Sequence, residues 1–311
     1  MMRTRVAVVG VGHLGRHHAR ILSTLPDVEL VGVADRDPDR AASVASQYGV
    51  VAHRDASAFL EGVDAAVVAV PTEAHAEVAV PLLERGVSVL VEKPLAGSLA
   101  EADLIIGAAA RSGATLAVGH TERHNPAVRS ARLLIDRPRF IEAHRLGTFP
   151  ERSLDIDVVF DVMIHDLDVV ASLVGTEVVS LEAVGVPVLT QRIDIANVRL
   201  RFADGCIANL TASRISRDRV RKIRFFQQDA YISIDYASQE VEQYRLARGP
   251  DGRPVIGGGR VAVDRQESLK LEIEDFLLAV RSGEPPLVTG DEGRRAVALA
   301  NEITARMATK T

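Results

Sequence analysis

The chain has little of what disulfide or thiolate chemistry requires. Cys206 is the only cysteine among 311 residues, so an intramolecular disulfide is impossible and no zinc site can be built on thiolates. A single cysteine fits the reducing cytoplasm, where we expect the protein to reside. No apolar run approaches the roughly 20 residues that a membrane-spanning helix needs, and we therefore expect no membrane partner.

Positive charge and aromatic side chains are also scarce. The 42 acidic residues outnumber 37 Lys and Arg, tryptophan is absent and aromatic residues make up 4% of the chain. Nucleic-acid binding depends on a basic surface, often with aromatic side chains that stack on bases, so we expect no nucleic-acid partner. The 47% of hydrophobic residues suffices for two domains, each with a buried core.

What the chain does have is glycine in a decisive pattern, V-A-V-V-G-V-G-H-L-G at residues 6–15. The apolar run before the glycines lacks polar alternation and predicts a strand covered on both faces, which then leads into a helix. Gly10 permits a tight turn, Gly12 lets backbone N–H groups approach a pyrophosphate, and Gly15 lets the helix pack close to the strand. The pattern predicts a dinucleotide site at the start of this helix.

A second apolar strand supports this prediction. It ends at Asp35, about 20 residues after the last glycine, where a carboxylate can accept both ribose hydroxyls of an adenosine. A 2′-phosphate would be repelled there, which favours NAD over NADP. Arg36 could stack on adenine or meet a 2′-phosphate, or it could be an exposed arginine at a helix start.

Further apolar strands, at residues 65–70, 88–91 and 115–118, alternate with helical segments. This order predicts an α/β fold whose N-terminal domain, residues 1–120, is a Rossmann doubly wound parallel sheet that binds ligands at the carboxyl ends of its strands. Thr72 is the expected N-cap of the third helix, and Ser98 with Glu101 forms a capping box for the next. The residues that follow the strand ends are Pro71-Thr72, Glu92-Lys93-Pro94 and His120.

Residues 121–311 have a different character and are expected to form a C-terminal α+β domain. Asn125 and Pro126 should begin a helix that reaches about Asp136. The strand-like runs, with a hairpin signal at Asp204-Gly205, predict a largely antiparallel open sheet. These runs are residues 140–146, 178–184, 193–202, 207–213, 220–227, 231–235 and 241–246. Residues 249–259 are expected to be a mobile loop, and residues 269–281 and 292–307 to be helices.

The segment at residues 157–174 has helical spacing that brings polar residues together. Asp161, His165 and Asp168 stand at i, i+4 and i+7, so a regular helix would place them on one face. Imidazole beside carboxylate suits proton transfer, although a core histidine with a capping aspartate explains the same pattern. A metal set of His120, His124, His165 and Asp168 would require three separate elements to converge, and we expect no metal.

Three landmarks give the chain a family resemblance over nearly its whole length: the glycine turn, Glu92-Lys93-Pro94, and Asp161-x-x-x-His165. With them the chain resembles the glucose-fructose oxidoreductase/inositol dehydrogenase (Gfo/Idh/MocA) family. The resemblance implies that Lys93 contacts the substrate hydroxyl, Glu92 lies near the nicotinamide ribose, and His165, oriented by Asp161, accepts the proton. Which of Lys93 and His165 takes the proton remains open. The implied open sheet face indicates a homodimer or homotetramer.

The stretches at residues 119–127 and 157–168 look most like the UDP-N-acetylglucosamine 3-dehydrogenase branch of that family. The resemblance implies NAD-dependent oxidation of a sugar's secondary alcohol, and this branch points to the 3-hydroxyl of UDP-N-acetylglucosamine. The alternatives are another sugar or cyclitol dehydrogenase, an NAD-dependent glycosidase, or a nucleotide-sensing regulator, which would not need both Lys93 and His165.

The expected site residues follow from the motifs and the resemblance together. The catalytic set is Lys93, His165 and Asp161. The cofactor set is Gly10, Gly12, His13, Leu14, Gly15, Asp35, Arg36, Pro71, Thr72, His75, Glu92 and Lys93. The substrate set is Lys93, His120, Glu122, Arg123, Asn125, Arg152, Asp161 and His165. Arg123, Arg145 and Arg152 are the cations expected to meet the pyrophosphate of a UDP-sugar.

Overall fold

The computed structural model describes residues 3–149, 156–249 and 252–308. The chain divides into two compact units. The first contains the residues up to Thr121 together with Leu269–Val297, and the second contains Glu122–Ser268 and the residues from Ala298 onward. The sequence pattern suggested a single boundary near residue 120 and carried no signal that residues 269–297 return to the first unit.

Within the described residues, the strands form two sheets. The first unit holds β1 (Thr4–Val9), β2 (Val28–Ala34), β3 (Val51–His53), β4 (Ala65–Val68), β5 (Ser88–Glu92) and β6 (Leu116–Gly119). The second unit holds β7 (Phe140–Leu146), β8 (Val178–Val186), β9 (Ile195–Phe202), β10 (Ile207–Ser213), β11 (Val220–Gln227), β12 (Ala230–Asp235), β13 (Glu240–Arg248) and β14 (Pro254–Val261).

The α-helices flank these sheets. They are α1 (Gly15–Leu22), α2 (Pro38–Tyr48), α3 (His75–Glu84), α4 (Leu99–Ser112), α5 (Pro126–Arg132), α6 (Ile164–Val174), α7 (Ser268–Ser282) and α8 (Gly290–Ala308). No helix among the described residues is long and apolar enough to cross a membrane.

The sheet of the first unit has the order β3-β2-β1-β4-β5-β6 with every pair parallel, which confirms the doubly wound prediction. Its central strands are apolar on both sides because helices cover both faces. Residues of α1, α2 and α7 pack on one face around Val6 and Val8. Residues of α3 and α4, with Val288 and Val297, pack on the other around Ala66 and Val68.

Predicted helix caps are confirmed in two places and wrong in one. The Ser98 hydroxyl accepts the Glu101 N–H at 3.2 Å, as predicted. Asn125 caps α5, although that helix ends at Arg132 rather than near residue 136. The prediction for Thr72 is wrong, because residues 72–74 form a 3₁₀ turn and α3 begins only at His75.

The sheet of the second unit has the order β14-β13-β12-β11-β7-β10-β9-β8. It is antiparallel except between β7 and β10, which confirms the expected largely antiparallel sheet. The mobile loop expected at residues 249–259 is wrong in its second half. Residues Pro254–Val261 form β14, which pairs along β13 from Val241↔Val261 to Arg248↔Pro254. The run of glycines hid the strand, because glycine is a poor strand former.

One face of this second sheet carries the core of its unit. Burial alternates along β9, where Ala196, Val198, Leu200 and Phe202 are buried while the residues between them are not. The buried face packs against α5, α6 and the last part of α8. The strands therefore expose alternate side chains on their other face, as period-2 side-chain geometry requires.

Candidate active site

The glycine turn between β1 and α1 separates structural from functional glycines. Gly10 has φ +84°, and a Cβ there would lie 2.6 Å from the Ala69 carbonyl oxygen. A Cβ on Gly15 would collide with the carbonyl oxygen of Gly10. A Cβ on Gly12 would meet nothing within 4 Å. The fold itself thus requires the first and third glycines, whereas Gly12 leaves open the space that a pyrophosphate needs to approach the backbone.

The side chains next to Gly12 are exposed. His13 and Leu14 both face solvent, with Leu14 39% exposed. His13 and His17 lie edge to face with ring centroids 5.6 Å apart, and Arg16 approaches the His13 Nδ1 at 3.4 Å. Their contact with a cofactor stays a prediction that the open turn permits.

Asp35, at the end of β2, is held by one backbone N–H group of the glycine turn and by one of the loop that follows Asp35 itself. Its carboxylate accepts the N–H groups of Val11 and Asp37, each at 2.9 Å, and it is 8% exposed. Arg40, one turn into α2, also reaches Asp35 at 3.3 Å. Arg40 was missed in the sequence, although its i+5 spacing from Asp35 in the first turn of a helix was a usable signal. The Asp35 carboxylate is therefore held in place and already forms an ion pair with Arg40.

Arg36 points its guanidinium at another exposed side chain. It pairs with Glu77 at 3.0 Å, and both side chains are at least 70% exposed. A pair this exposed contributes about 0 to 1 kcal/mol, so it does not hold Arg36 rigidly. Its predicted contact with adenine or a 2′-phosphate remains open.

His75 ties together two loops at the carboxyl ends of strands. Its Nε2 lies 3.0 Å from the carbonyl oxygen of Val70, and its Nδ1 lies 3.0 Å from that of Pro94. Burial lowers the pKa of His75, while these carbonyl contacts act in the opposite direction. Because the side chain is 1% exposed, His75 fixes the turns that carry Thr72 and Lys93, and its predicted cofactor contact would have to be indirect.

The Glu92-Lys93 turn follows β5. The Glu92 carboxylate is 5% exposed and receives the His18 Nε2 at 2.8 Å and the Lys93 backbone N–H at 3.2 Å. Burial opposes its ionisation, but the hydrogen bond from His18 prevails and holds the pKa of Glu92 below its ordinary value. Lys93 is half-buried. Glu92 is thus an ionised, internally bonded group, and its predicted place near the nicotinamide ribose stays a prediction.

In the second unit, the predicted catalytic helix does not begin as an α-helix. Val159–Met163 form a π-helical turn that contains Asp161, and His165 lies in the first turn of α6. The regular α-helix expected between Asp161 and His165 is therefore wrong at its start, because the backbone makes a π turn at Asp161. Both residues are half-buried. Single π turns inside helices occur frequently at functional sites.

Asp168 serves a different partner from the one the sequence suggested. Its carboxylate pairs with Arg123 at 3.3 Å, and both side chains are at most 5% exposed. The carboxylate of the alternative metal set is thus engaged with a guanidinium. Arg123, expected to bind substrate, is likewise committed to an internal contact.

Arg145 forms a buried network that the sequence did not reveal. It makes a two-pronged contact with Asp166 at 2.8 and 2.9 Å, and another with Glu122 at 2.8 Å. Its guanidinium lies 4.7 Å from the Tyr236 ring centroid. Burial opposes the charge, but Asp166 and Glu122 keep the pKa of Arg145 well above its ordinary value. Arg145 is thus paired with two carboxylates inside the unit, and its predicted contact with a pyrophosphate stays a prediction.

Asn125 belongs to the same network. Its side-chain oxygen accepts the Ala127 N–H at 3.0 Å, and its amide donates to Glu122 at 3.0 Å and to the Tyr236 carbonyl at 3.1 Å. All of these bonds are internal to the unit. Substrate contact by Asn125 and Glu122 remains a prediction, and Arg152, the third expected substrate arginine, lies outside the described residues.

The histidines around residue 120 are buried. His120 is 1% exposed and His124 is 2% exposed. Burial, reinforced by Arg129 and Arg123, lowers the pKa of His124 to about 3. His124 is therefore neutral near pH 7, and it cannot serve as a cation for a substrate phosphate.

Residues 4–120 match the oxidoreductase family with an NAD-binding Rossmann fold, and residues 127–233 match the GFO/IDH/MocA C-terminal domain. The chain belongs to the GFO/IDH/MocA oxidoreductase family. This confirms the resemblance seen in the glycine turn, Glu92-Lys93-Pro94 and Asp161-x-x-x-His165. Relatives that align over nearly the whole chain are named dehydrogenases, so the chain is an oxidoreductase that acts on hydroxyl groups.

Individual relatives of this GFO/IDH/MocA oxidoreductase are dehydrogenases. A UDP-N-acetylglucosamine 3-dehydrogenase of Acidithiobacillus ferrooxidans is 39% identical over 305 residues, which cover 97% of each chain. A solved structure of UDP-N-acetylglucosamine 3-dehydrogenase from that organism matches with a TM-score of 0.93 at 39% identity over 98% of each chain. A scyllo-inositol 2-dehydrogenase (NAD(+)) of Bacillus subtilis is 28% identical over 92% of this chain and 89% of the relative.

Proposed function

We propose that this GFO/IDH/MocA oxidoreductase oxidises the 3-hydroxyl of UDP-N-acetylglucosamine to a ketone with NAD. The observation that carries the proposal is the 39% identity, over 97% of each chain, to an enzyme with that name. Inositol dehydrogenases align over similar lengths at 26–28% identity. The difference in identity favours the nucleotide sugar over a cyclitol.

The chemistry divides between a hydride and a proton. A nicotinamide, when bound, would supply the acceptor for the hydride of the carbinol carbon, and the protein must take the hydroxyl proton. Lys93 and His165 are the candidate acceptors, with Asp161 orienting the imidazole. A cationic Lys93 would also stabilise the developing alkoxide. The π-helical turn just before His165 supports a functional role for this segment.

The cofactor we propose is NAD rather than NADP. The Asp35 carboxylate is anchored by two backbone N–H groups at the end of β2, where the adenosine ribose of a dinucleotide lies in this fold. A 2′-phosphate would bring a second anion to that carboxylate. Arg40 offsets part of the repulsion, because it is already paired with Asp35.

We further propose that a second copy of the chain covers the outer face of the second sheet. Phe140, Phe226, Tyr231 and Tyr244 form a row across four strands on this face, with neighbouring ring centroids 5.2 to 6.2 Å apart. An aromatic row on an eight-stranded sheet is a surface suited to self-association.

The free thiol of Cys206 is compatible with a reducing cytoplasm, where we place the reaction.

A substrate screen tests the proposed function. The protein is incubated with NAD and, separately, UDP-N-acetylglucosamine, other UDP-sugars, free N-acetylglucosamine, glucose and inositols, each with a hydrazine to trap ketones. Mass spectrometry should find a trapped ketone from UDP-N-acetylglucosamine alone or at the highest rate. Turnover of an inositol or glucose without turnover of any UDP-sugar would contradict the proposal and indicate a cyclitol or monosaccharide dehydrogenase.

A further inference from the structure

A cluster of three buried polar side chains lies within the first unit. His18 comes from α1, Glu92 from β5 and Glu272 from α7, and their exposures are 0%, 5% and 1%. One nitrogen or oxygen atom from each lies within 4.8 Å of the other two. The cluster exists because α7 packs on the same face of the sheet as α1. It brings two carboxylates close together in the protein interior.

The two carboxylates differ sharply in their hydrogen bonds. Both oxygens of Glu92 have donors, one from His18 and the other from the Lys93 backbone. Among the described residues, no cation and no backbone N–H reaches either oxygen of Glu272, and the Thr121 hydroxyl is the one donor close to its carboxylate. An ionised carboxylate with so few donors is very costly in a protein interior, whereas a protonated one needs only a single acceptor.

The charges around Glu272 also oppose its ionisation. The titratable and charged groups that surround the cluster are His18, Glu92, Lys93 and Asp275, with the hydroxyl of Thr121 beside them. Burial and the neighbouring Glu92 raise the pKa of Glu272 well above its ordinary value, with Asp275 adding to the effect and Thr121 opposing it. His18 and Lys93 instead favour the ionised form of Glu92. The pair thus separates into one carboxylate and one carboxylic acid.

We propose that Glu272 is protonated in the folded protein and bridges through its proton to the Glu92 carboxylate, as a positioning residue for the Glu92-Lys93 turn. The bridge forms directly after a small side-chain rotation or through one water molecule. Glu92 is confined on another side, because a Cβ on Gly119 would lie 3.1 Å from its Cα and Oε2. With His18 and Glu272 it would be held from three sides. The consequence for Lys93 rests on the proposed function, whereas the protonation does not.

A proton fits the cluster better than a metal ion. The His18 Nε2 and Glu92 Oε1 atoms are 2.8 Å apart, a hydrogen-bond distance. Two ligands of a tetrahedral zinc ion at about 2.1 Å would be separated by roughly 3.4 Å. A carboxylate that accepts from Nε2–H also requires that nitrogen to keep its proton, which excludes it as a ligand.

The protonation is tested by unfolding measurements that need no substrate. Glu272→Gln keeps a donor beside Glu92 but cannot ionise, and Glu274→Gln removes the exposed carboxylate that pairs with Lys270 on the same helix. A carboxyl group with a raised folded pKa stabilises fully below its unfolded value and less as pH rises towards the folded value. The unfolding constant of the wild type, relative to Glu272→Gln, should therefore rise up to tenfold per pH unit above about pH 4.5.

Wild type, Glu272→Gln and the control variant Glu274→Gln are all unfolded in urea at pH values between 5 and 8. Glu274→Gln should follow the wild type across the range. Parallel curves for wild type and Glu272→Gln would overturn the proposal, as would an infrared spectrum in which Glu272→Gln removes no protonated-carboxyl band. A stoichiometric divalent ion that is retained by the wild type and lost from Glu272→Gln would overturn it in favour of a metal site.

The positioning role has a separate kinetic test with the substrate found by the screen. Glu272→Leu removes the donor and should lower kcat tenfold or more with little change in KM for NAD, because a small displacement of a catalytic group is costly. Glu272→Gln should restore most of the lost kcat. Equal losses in both variants would contradict positioning through a donated hydrogen bond, even if the unfolding data support the protonation.

Discussion

At the residue scale, Lys93 and His165 are expected to take part in the chemistry rather than to hold the cofactor. Lys93→Ala and His165→Ala should each lower kcat by about 10²- to 10⁴-fold, the range for general acid–base groups, because each removes a group that handles the proton or the alkoxide. The dissociation constant for NAD should change little. Turnover and NAD binding are measured by absorbance and calorimetry, with Lys270→Ala, a half-exposed lysine on α7, as the control. Wild-type turnover rates in both variants would contradict the catalytic role of Lys93 and His165.

Cofactor choice is also decided at single residues. Asp35→Ser removes the carboxylate that would repel a 2′-phosphate and leaves Arg40 without that partner, so NADP should gain affinity and the preference for NAD should narrow or reverse. Arg40→Ala should have the opposite effect, since it removes the only described cation paired with Asp35. Binding constants for both dinucleotides check this. Equal or tighter binding of NADP by the unmodified protein would be incompatible with the proposal.

At the element scale, one buried aspartate organises a loop of the second unit. Asp194 accepts the N–H groups of Val188, Leu189 and Thr190 at 2.7 to 2.9 Å and pairs with Arg214 at 2.9 Å. Burial opposes its ionisation, but these bonds hold the pKa of Asp194 far below its usual range. Asp194→Asn should therefore reduce the free energy of unfolding at pH 7 by about 3 to 5 kcal/mol, as expected when a buried ion pair is broken.

The contribution of the Asp194 carboxylate to the free energy of unfolding should depend on pH. A carboxyl group with a depressed folded pKa stabilises above its unfolded value and loses that contribution as pH falls. The gap between wild type and Asp194→Asn in urea unfolding should be constant near neutrality and shrink below about pH 4. Asp204→Asn, in the exposed β9–β10 turn, is the control. A gap that grows on acidification would contradict this explanation.

How far the sequence predicted each element depended on the range of the interactions that form it. The caps of α4 and α5 were predictable because Ser98 and Asn125 bond to residues only two or three positions away. The π-helical turn before His165 and the strand β14 depend on packing and pairing with distant segments, so local patterns gave the wrong answer. The same reason explains why the sequence did not reveal the internal partners of Glu122 and Asn125. Their partners are Arg145 of β7, 23 positions from Glu122, and Tyr236 in the turn after β12, 111 positions from Asn125.

At the scale of the whole molecule, the open sheet predicts self-association. Phe226→Asp places a charge in the centre of the aromatic row, between Phe140 and Tyr231, and should convert an oligomer into a monomer in light scattering at micromolar concentration. Leu104→Asp, at a 58% exposed position on α4, should leave the mass unchanged. A monodisperse monomer of the unmodified protein would refute the predicted association.

The central step of the proposed reaction is the transfer of the hydrogen at carbon 3 of the sugar to the nicotinamide. UDP-N-acetylglucosamine that carries deuterium at carbon 3 is incubated with the protein, NAD and a ketone trap, and the recovered reduced cofactor is analysed by mass spectrometry. We predict deuterium in the reduced nicotinamide with the wild type, and its loss with Lys93→Ala or His165→Ala. Reduced cofactor without the label, or label transferred only from deuterated inositol, would contradict the account.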